Sequence, residues 1–436
     1  MIKKTLTALL IAALIPLQAF SGDICSFDIS DFAKIKQTNS VVSTSKDSFL
    51  GKLVRPVSGF DKNTQFFLKQ NQLTWMIQEL IAGSLYQAVL GKELIASLYL
   101  VCDRNDPQTF LLATIRRKGF APFMREEGDP YFKDVYAAIP DEGVLPFSCV
   151  LGGCAYPYDK PKEGFEISVL ASILLFESDL KHGNNFGLMK NNLSRFDFDG
   201  SFMFLDIFGV TQGTLEEGLN NLLVKHLSKK GISKKQIVDM MNGNAGTRVL
   251  KFLDVEIKDK FPSIKGKLNF QKLLNAGLEI LSVEPQVLFS IIDETLKGLA
   301  GVINEKKWNK YYTIGDNYTF TSTVDPFTKT GGIAFGPFES EQKSATFPSV
   351  YEPILQAVKG LKEKGTIEEK EAEFQFADGR GVKGAYESVV VKFSPQQSHP
   401  ERLGEIIKAH ITYHYAALYM ACKGWKADLE KGRKEL

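Results

Sequence analysis

The chain has no charge excess to speak of: 53 Lys and Arg stand against 51 Asp and Glu in 436 residues. A nucleic-acid partner requires a strongly basic domain or stripe, and this near balance gives no electrostatic case for one. Beyond the N-terminus there is no apolar run long enough to span a bilayer. A Gly-x-Ser-x-Gly nucleophile elbow, a Gly-x-Gly-x-x-Gly turn after a strand and an internal repeat of fixed period are all missing, which sets aside serine hydrolases, dinucleotide-binding folds and solenoids. Cysteine is scarce, with 5 residues, and the odd total argues against a full disulfide framework. Cys149 and Cys154 are the one local pair, in a Gly-rich loop, and a disulfide there is open to them. A zinc site needs a second pair of ligands, and none lies nearby. His410 and His414 share a helix face, but Ile411 stands where the hydrolytic zinc motif needs Glu, so they read as a structural pair.

What is present is an ordinary folded composition, 44% hydrophobic and 24% charged, in a chain long enough for two or three units. Residues 1–21 read as a signal peptide: Lys3 and Lys4, an apolar stretch at 6–17, then the small residues around Ala19 and Ser21, with cleavage before Gly22. The expected destination is export, periplasmic or secreted.

Residues 37–115 read as strands around one helix. A Ser-rich loop contains Ser43-Thr44-Ser45-Lys46, whose backbone N–H groups and hydroxyls can cradle phosphate. Strands are expected at 49–57 and 64–69, the second ending on Lys69, followed by a helix at 73–90 with Glu79 off its apolar face. Two more strands are expected at 94–102 and 109–116, and a linker at 115–123. The Gly- and Pro-containing stretch 124–164 reads as loops. A buried helix at 166–176 stops in the polar run Glu177-Ser178-Asp179-Leu180-Lys181-His182-Gly183-Asn184-Asn185. A hairpin follows, with strands at 186–189 and 193–196 and Asn191-Asn192 at its turn, and it delivers Asp197-Phe198-Asp199-Gly200. Later helices are expected at 214–227, from Ser233, and at 268–281, 284–299, 350–363 and 400–430. Strands or loops are expected at 311–338, and a hairpin at 371–393 around Asp378-Gly379-Arg380-Gly381.

The hairpin brings an Asp, an Asn and a second Asp to one end. Phosphoryl transfer uses that set: one carboxylate orients or deprotonates the attacking hydroxyl, while an amide oxygen and another carboxylate hold Mg²⁺ against phosphates. On Asp179, His182, Asn185 and Asp197, in that order, and on Asn185-Phe186-Gly187-Leu188, the stretch resembles atypical kinases. These are the phosphatidylinositol 3/4-kinases, the HipA-type bacterial kinases and kinase-like effectors of intracellular bacteria. The spacing to Asn185 is one residue longer than in those families, so Asn184 is an alternative ligand. The closing Asp-Phe-Asp-Gly makes Asp199 a rival to Asp197.

The resemblance covers roughly residues 40–205. It implies an α+β, two-lobed protein-kinase-like fold, with a small, mainly β lobe carrying one key helix at 22–118 and a larger helical lobe at 119–300. Residues 301–436 would be a C-terminal α+β extension. It implies ATP and Mg²⁺ as cofactors, with Lys69 on the phosphates, Glu79 steering Lys69, Ser45 and Lys46 over the phosphates, Asp179 as the catalytic carboxylate, and Asn185 and Asp197 on the metal. The implied acceptor is a hydroxyl on a protein or a lipid, in a host cell if the chain is delivered to one. Residues 200–218 contain no Lys or Arg, where lipid kinases are commonly basic, and this favours a protein. A phosphoinositide kinase, a pseudokinase serving as a binding module and an AMP transferase are the alternatives.

Overall fold

The computed structural model describes residues 24–35, 48–106, 109–116, 120–122, 163–175, 177, 186–189, 192–195, 197–202, 205, 210, 270–323, 367–375 and 381–432. Outside them lie the expected signal peptide, the 43–46 loop with Ser45 and Lys46, and the Cys149 and Cys154 pair. The polar run holding Asp179, His182, Asn184 and Asn185, and the helices expected at 214–227, from Ser233 and at 350–363, also lie outside. The described residues make a mixed α+β protein.

Strands β1 (Cys25–Asp28), β2 (Phe32–Lys34), β3 (Ser48–Leu53), β4 (Gln65–Lys69), β5 (Leu98–Cys102) and β6 (Phe110–Ile115) form one sheet in the order β1-β5-β6-β4-β3-β2. β1 runs parallel to β5 and the other pairings are antiparallel. The sequence placed no strands before residue 37, yet β1 and β2 form the two edges of this sheet. A disulfide joins Cys25 to Cys102 across the parallel pair, with Cα atoms 5.6 Å apart, and Cys422 is a buried free thiol.

Strand alternation gives the sheet two different faces. One carries Phe27, Leu53, Phe66, Leu68, Val101, Leu111 and Ala113, all buried. There Phe27, Phe32, Phe60, Phe66 and Tyr99 pack edge-on or tilted at centroid spacings of 5.3–6.1 Å, the arrangement aromatic quadrupoles prefer. Leu100, Phe110 and Leu112 face the other way, into the larger core with helix α1 (Leu73–Leu90). Because Phe66 and Leu68 fill the aromatic face, period-2 alternation sends Lys69 to the α1 side.

Helix α1 has the bounds the apolar periodicity predicts. Its burial is broader than a stripe, for Thr74, Gln78, Glu79 and Gly83 are buried with the aliphatic positions. The helix is covered by the sheet on one side and by α2 (Phe165–Leu174) and α4 (Pro285–Val302) elsewhere. It stops at Gly91, whose φ of 87° ends the helix at low steric cost.

Strands β7 (Phe120–Pro122), β8 (Phe186–Met189) and β9 (Asn192–Arg195) make a three-stranded antiparallel sheet. The expected linker at 115–123 thus includes a strand, and β8–β9 is the expected hairpin. Met189 pairs with Asn192, so β9 begins one residue earlier than the sequence suggests.

Helices α3 (Phe270–Leu281), α5 (Glu305–Tyr311) and α6 (His399–Glu430) join α4 around the same core, with α6 packed on α2, α3, α4 and α5. Ile280, Leu288, Ile292, Leu403, Ile407 and Ile411 are fully buried there. Strands β10 (Asn317–Thr323), β11 (Ile367–Gln375) and β12 (Gly381–Lys392) form a third sheet in the order β10-β12-β11. The β11–β12 pair is the hairpin expected around 378–381. Among the described residues no helix is long and apolar enough to cross a membrane.

Candidate functional site

Lys69 is the centre of the site. It ends β4, and the strand's alternation turns its ammonium toward α1, where Nζ lies 3.3 Å from Glu79 Oε2. Glu79 sits on the second turn of α1 with its side chain 3% exposed, so it is a buried carboxylate facing the one ammonium near it among the described residues. Two more carboxylates arrive from beyond the end of the β8–β9 hairpin. Lys69 Nζ donates to Asp197 Oδ1 at 2.5 Å and to Asp199 Oδ2 at 2.6 Å.

The Asp-Phe-Asp sequence explains how two acids reach one point. Phe198 is 1% exposed and stacks on Tyr86 of α1, with centroids 4.8 Å apart. Its neighbours on either side both reach the Lys69 ammonium. Gly83, one turn beyond Glu79, makes room for this: a Cβ there would stand 2.2 Å from Leu98 Cδ1 and 3.3 Å from Phe198 Cδ2. Asp197 adopts φ 65°, in the left-handed region where Asp is among the few side chains tolerated.

Charge balance sets the protonation. One ammonium faces three carboxylates. Burial works against the charge on Lys69, but Glu79, Asp197 and Asp199 more than offset it and hold the ammonium well above its ordinary range. Burial pushes Glu79 up to about 8, opposed by Lys69 and reinforced by the two aspartates. Asp197 is raised as well, by burial first and by the Asp199 charge next, with Lys69 acting against both. About a third of the Asp197 side chain remains exposed (32%), so water tempers its shift.

The donor set suits a hard cation. Oxygen atoms of Glu79, Asp197 and Asp199 lie within 4.8 Å of one another, and carboxylate oxygens are the ligands that Mg²⁺ and Ca²⁺ take. Among the described residues this is the one group of three or more metal-ligating side chains so placed. The chain thus brings together Lys69, Glu79, Asp197 and Asp199, four of the residues the sequence singles out. Asp179, Asn184, Asn185, Ser45 and Lys46 lie outside the described residues. Geometry does not separate Asp197 from Asp199, which sit at near-equal distances from Lys69.

Asn71 was missed in the sequence. It follows β4 by two residues, and its Nδ2 donates to Asp199 Oδ2 at 3.1 Å. Only its place between Lys69 and α1 could have drawn notice. The two histidines of α6 are engaged elsewhere: Tyr318 OH and His410 Nε2 are 2.7 Å apart, and His414 Nδ1 lies 2.6 Å from the Leu174 carbonyl. Compared with models of known families and with curated proteins, the chain matches none.

Proposed function

We propose that this protein is an exported, ATP-dependent phosphotransferase of the atypical kinase kind, in which a small β lobe with α1 closes over a larger helical lobe. The observation that carries the reading is the convergence on one ammonium of residues far apart in sequence. Lys69 and Glu79 are 10 residues apart, Lys69 and Asp197 are 128 apart, and all three meet within 3.3 Å of Nζ. A strand lysine steered by a helix glutamate, beside an aspartate at a hairpin end, is the arrangement that phosphoryl transfer uses to bind phosphates and metal.

In this reading Lys69 binds the phosphates of ATP, and Glu79 keeps its ammonium aimed at them. Asp197, with Asn185 or Asn184 and with Asp199 as its alternative, holds Mg²⁺. The metal ion supplies charge neutralisation at the phosphate oxygens. Asp179 orients the acceptor hydroxyl and takes its proton as the oxygen bonds to the γ-phosphorus. The bond from that phosphorus to the bridging oxygen breaks, and ADP leaves. Positioning and electrostatics supply most of the rate in this reaction class.

The Cys25–Cys102 disulfide supports an oxidising destination, as the signal-like N-terminus does. A periplasm offers little ATP, so an exported kinase works where it reaches a host cell. The absence of Lys and Arg from residues 200–218 favours a protein hydroxyl over a phosphoinositide.

The test is incubation of the chain from Gly22 onward with ATP and Mg²⁺, beside generic protein acceptors, itself and phosphoinositide vesicles, read by mass spectrometry. The expected product is a phosphorylated protein, lost in Asp197→Ala. An added AMP would establish nucleotidyl transfer instead. Lipid phosphorylation alone would overturn the protein acceptor, and no transfer of either group would leave a binding module.

A further inference from the structure

Two residues before Asp197 lies a second charged cluster that the chemistry above does not use. The side chains of Arg195 and Glu177 are both 0% exposed, with Nη2 3.7 Å from Oε2. Arg195 Nη1 donates to Tyr86 OH at 2.8 Å and to Ser172 Oγ at 2.6 Å, and Ser201 Oγ donates to Glu177 Oε2 at 2.5 Å. The guanidinium also lies over the rings of Tyr86 and Phe198, 4.9 and 5.6 Å from their centroids.

A buried ion pair is weak evidence for stability, because desolvation consumes most of its Coulombic gain. What this one does is tie three elements to a single turn. Tyr86 belongs to α1, which also carries Glu79. Ser172 is on α2 and Glu177 just beyond it. Phe198 and Ser201 belong to the turn that bears Asp197 and Asp199. The turn has two non-glycine residues in the left-handed region, Asp197 at φ 65° and Phe202 at φ 57°. Backbone of that kind persists where its surroundings over-determine it. The Phe202 N–H bond to the Leu175 carbonyl, at 2.9 Å, is the one main-chain tie between this turn and α2's end among the described residues.

We propose that the buried Arg195–Glu177 pair is a positioning device that holds the 197–202 turn, so that Asp197 and Asp199 stay aimed at Lys69. The purpose assigned to it rests on the phosphotransferase reading, but the mechanical claim does not. Hydrogen exchange on the full chain tests that claim in Arg195→Met and in the milder pair Tyr86→Phe with Ser201→Ala, which removes hydroxyls and keeps the packing. The expected result is exchange about 10-fold faster at the Ser201 and Phe202 amides, with Ile81 and Leu85 of α1 unchanged. Affinity for Mn²⁺ alone should fall about 10-fold in the same variants, as it does when groups supporting metal ligands are removed. Arg195→Lys should restore part of both. Unchanged exchange in the turn, or equal acceleration everywhere, overturns the proposal. Selective acceleration in a protein that binds neither Mn²⁺ nor Mn·ATP upholds the positioning role and brings down the phosphotransferase reading.

Discussion

Lys69 carries one positive charge into a cluster of three carboxylates, and the most deeply buried of these, Glu79, holds its proton up to about 8. The sign of the consequence follows from proton counts. In the unfolded chain Glu79 ionises above its ordinary value of 4.5; in the folded chain it ionises near 8. The folded state therefore binds more protons across that window, and this contribution to stability is lost as pH rises through it. Glu79→Gln removes the titration. Chemical denaturation from pH 4.5 to 8 should show the variant gaining on the parent chain as pH rises, by on the order of 3 kcal/mol. A difference that stays flat above about pH 5.5 would mean that Lys69 keeps Glu79 ionised throughout. At this scale the sequence was readable where a residue type and a spacing coincide: a Lys at a strand end and a Glu on the next helix. Asn71, Arg195 and Glu177 were not, because a lone Asn or a charged residue in a polar run carries no pattern until the chain folds around it.

Helix α1 and the β8–β9 hairpin could be placed from the sequence, since their apolar patterns are local and survive the single glycine in each, Gly83 in α1 and Gly187 in β8. Strands β1 and β2 could not, for each is four residues or fewer and is held by partners distant in the chain. The same distance hid the Cys25–Cys102 disulfide, whose ends are 77 residues apart and meet only because β1 lies beside β5. Closing so long a loop restricts the unfolded chain by about 4 kcal/mol in the chain-entropy account. The double variant Cys25→Ala with Cys102→Ala should lose roughly 2–4 kcal/mol in urea unfolding, and reductant should destabilise the parent chain to match. Equal stability of the two would show that β1 is held without the disulfide, by its pairing with β5 and its packing.

Across the whole molecule, α1, α2 and the C-terminal helices α4 and α6 share one apolar core, so the helix that carries Glu79 is supported from both ends of the chain. That long-range arrangement was beyond the sequence, which placed α3, α4 and α6 but neither α5 nor what these helices pack upon. The central claim is that the Lys69 cluster binds Mg·ATP, and titration calorimetry of ATP into the full chain, with and without Mg²⁺, tests it most directly. Binding is expected to require Mg²⁺ and to weaken at least about 10-fold, or about 1.4 kcal/mol, in both Lys69→Met and Asp197→Ala. Binding of equal strength in the parent chain and in both variants, or no Mg²⁺-dependent binding at all, would contradict it.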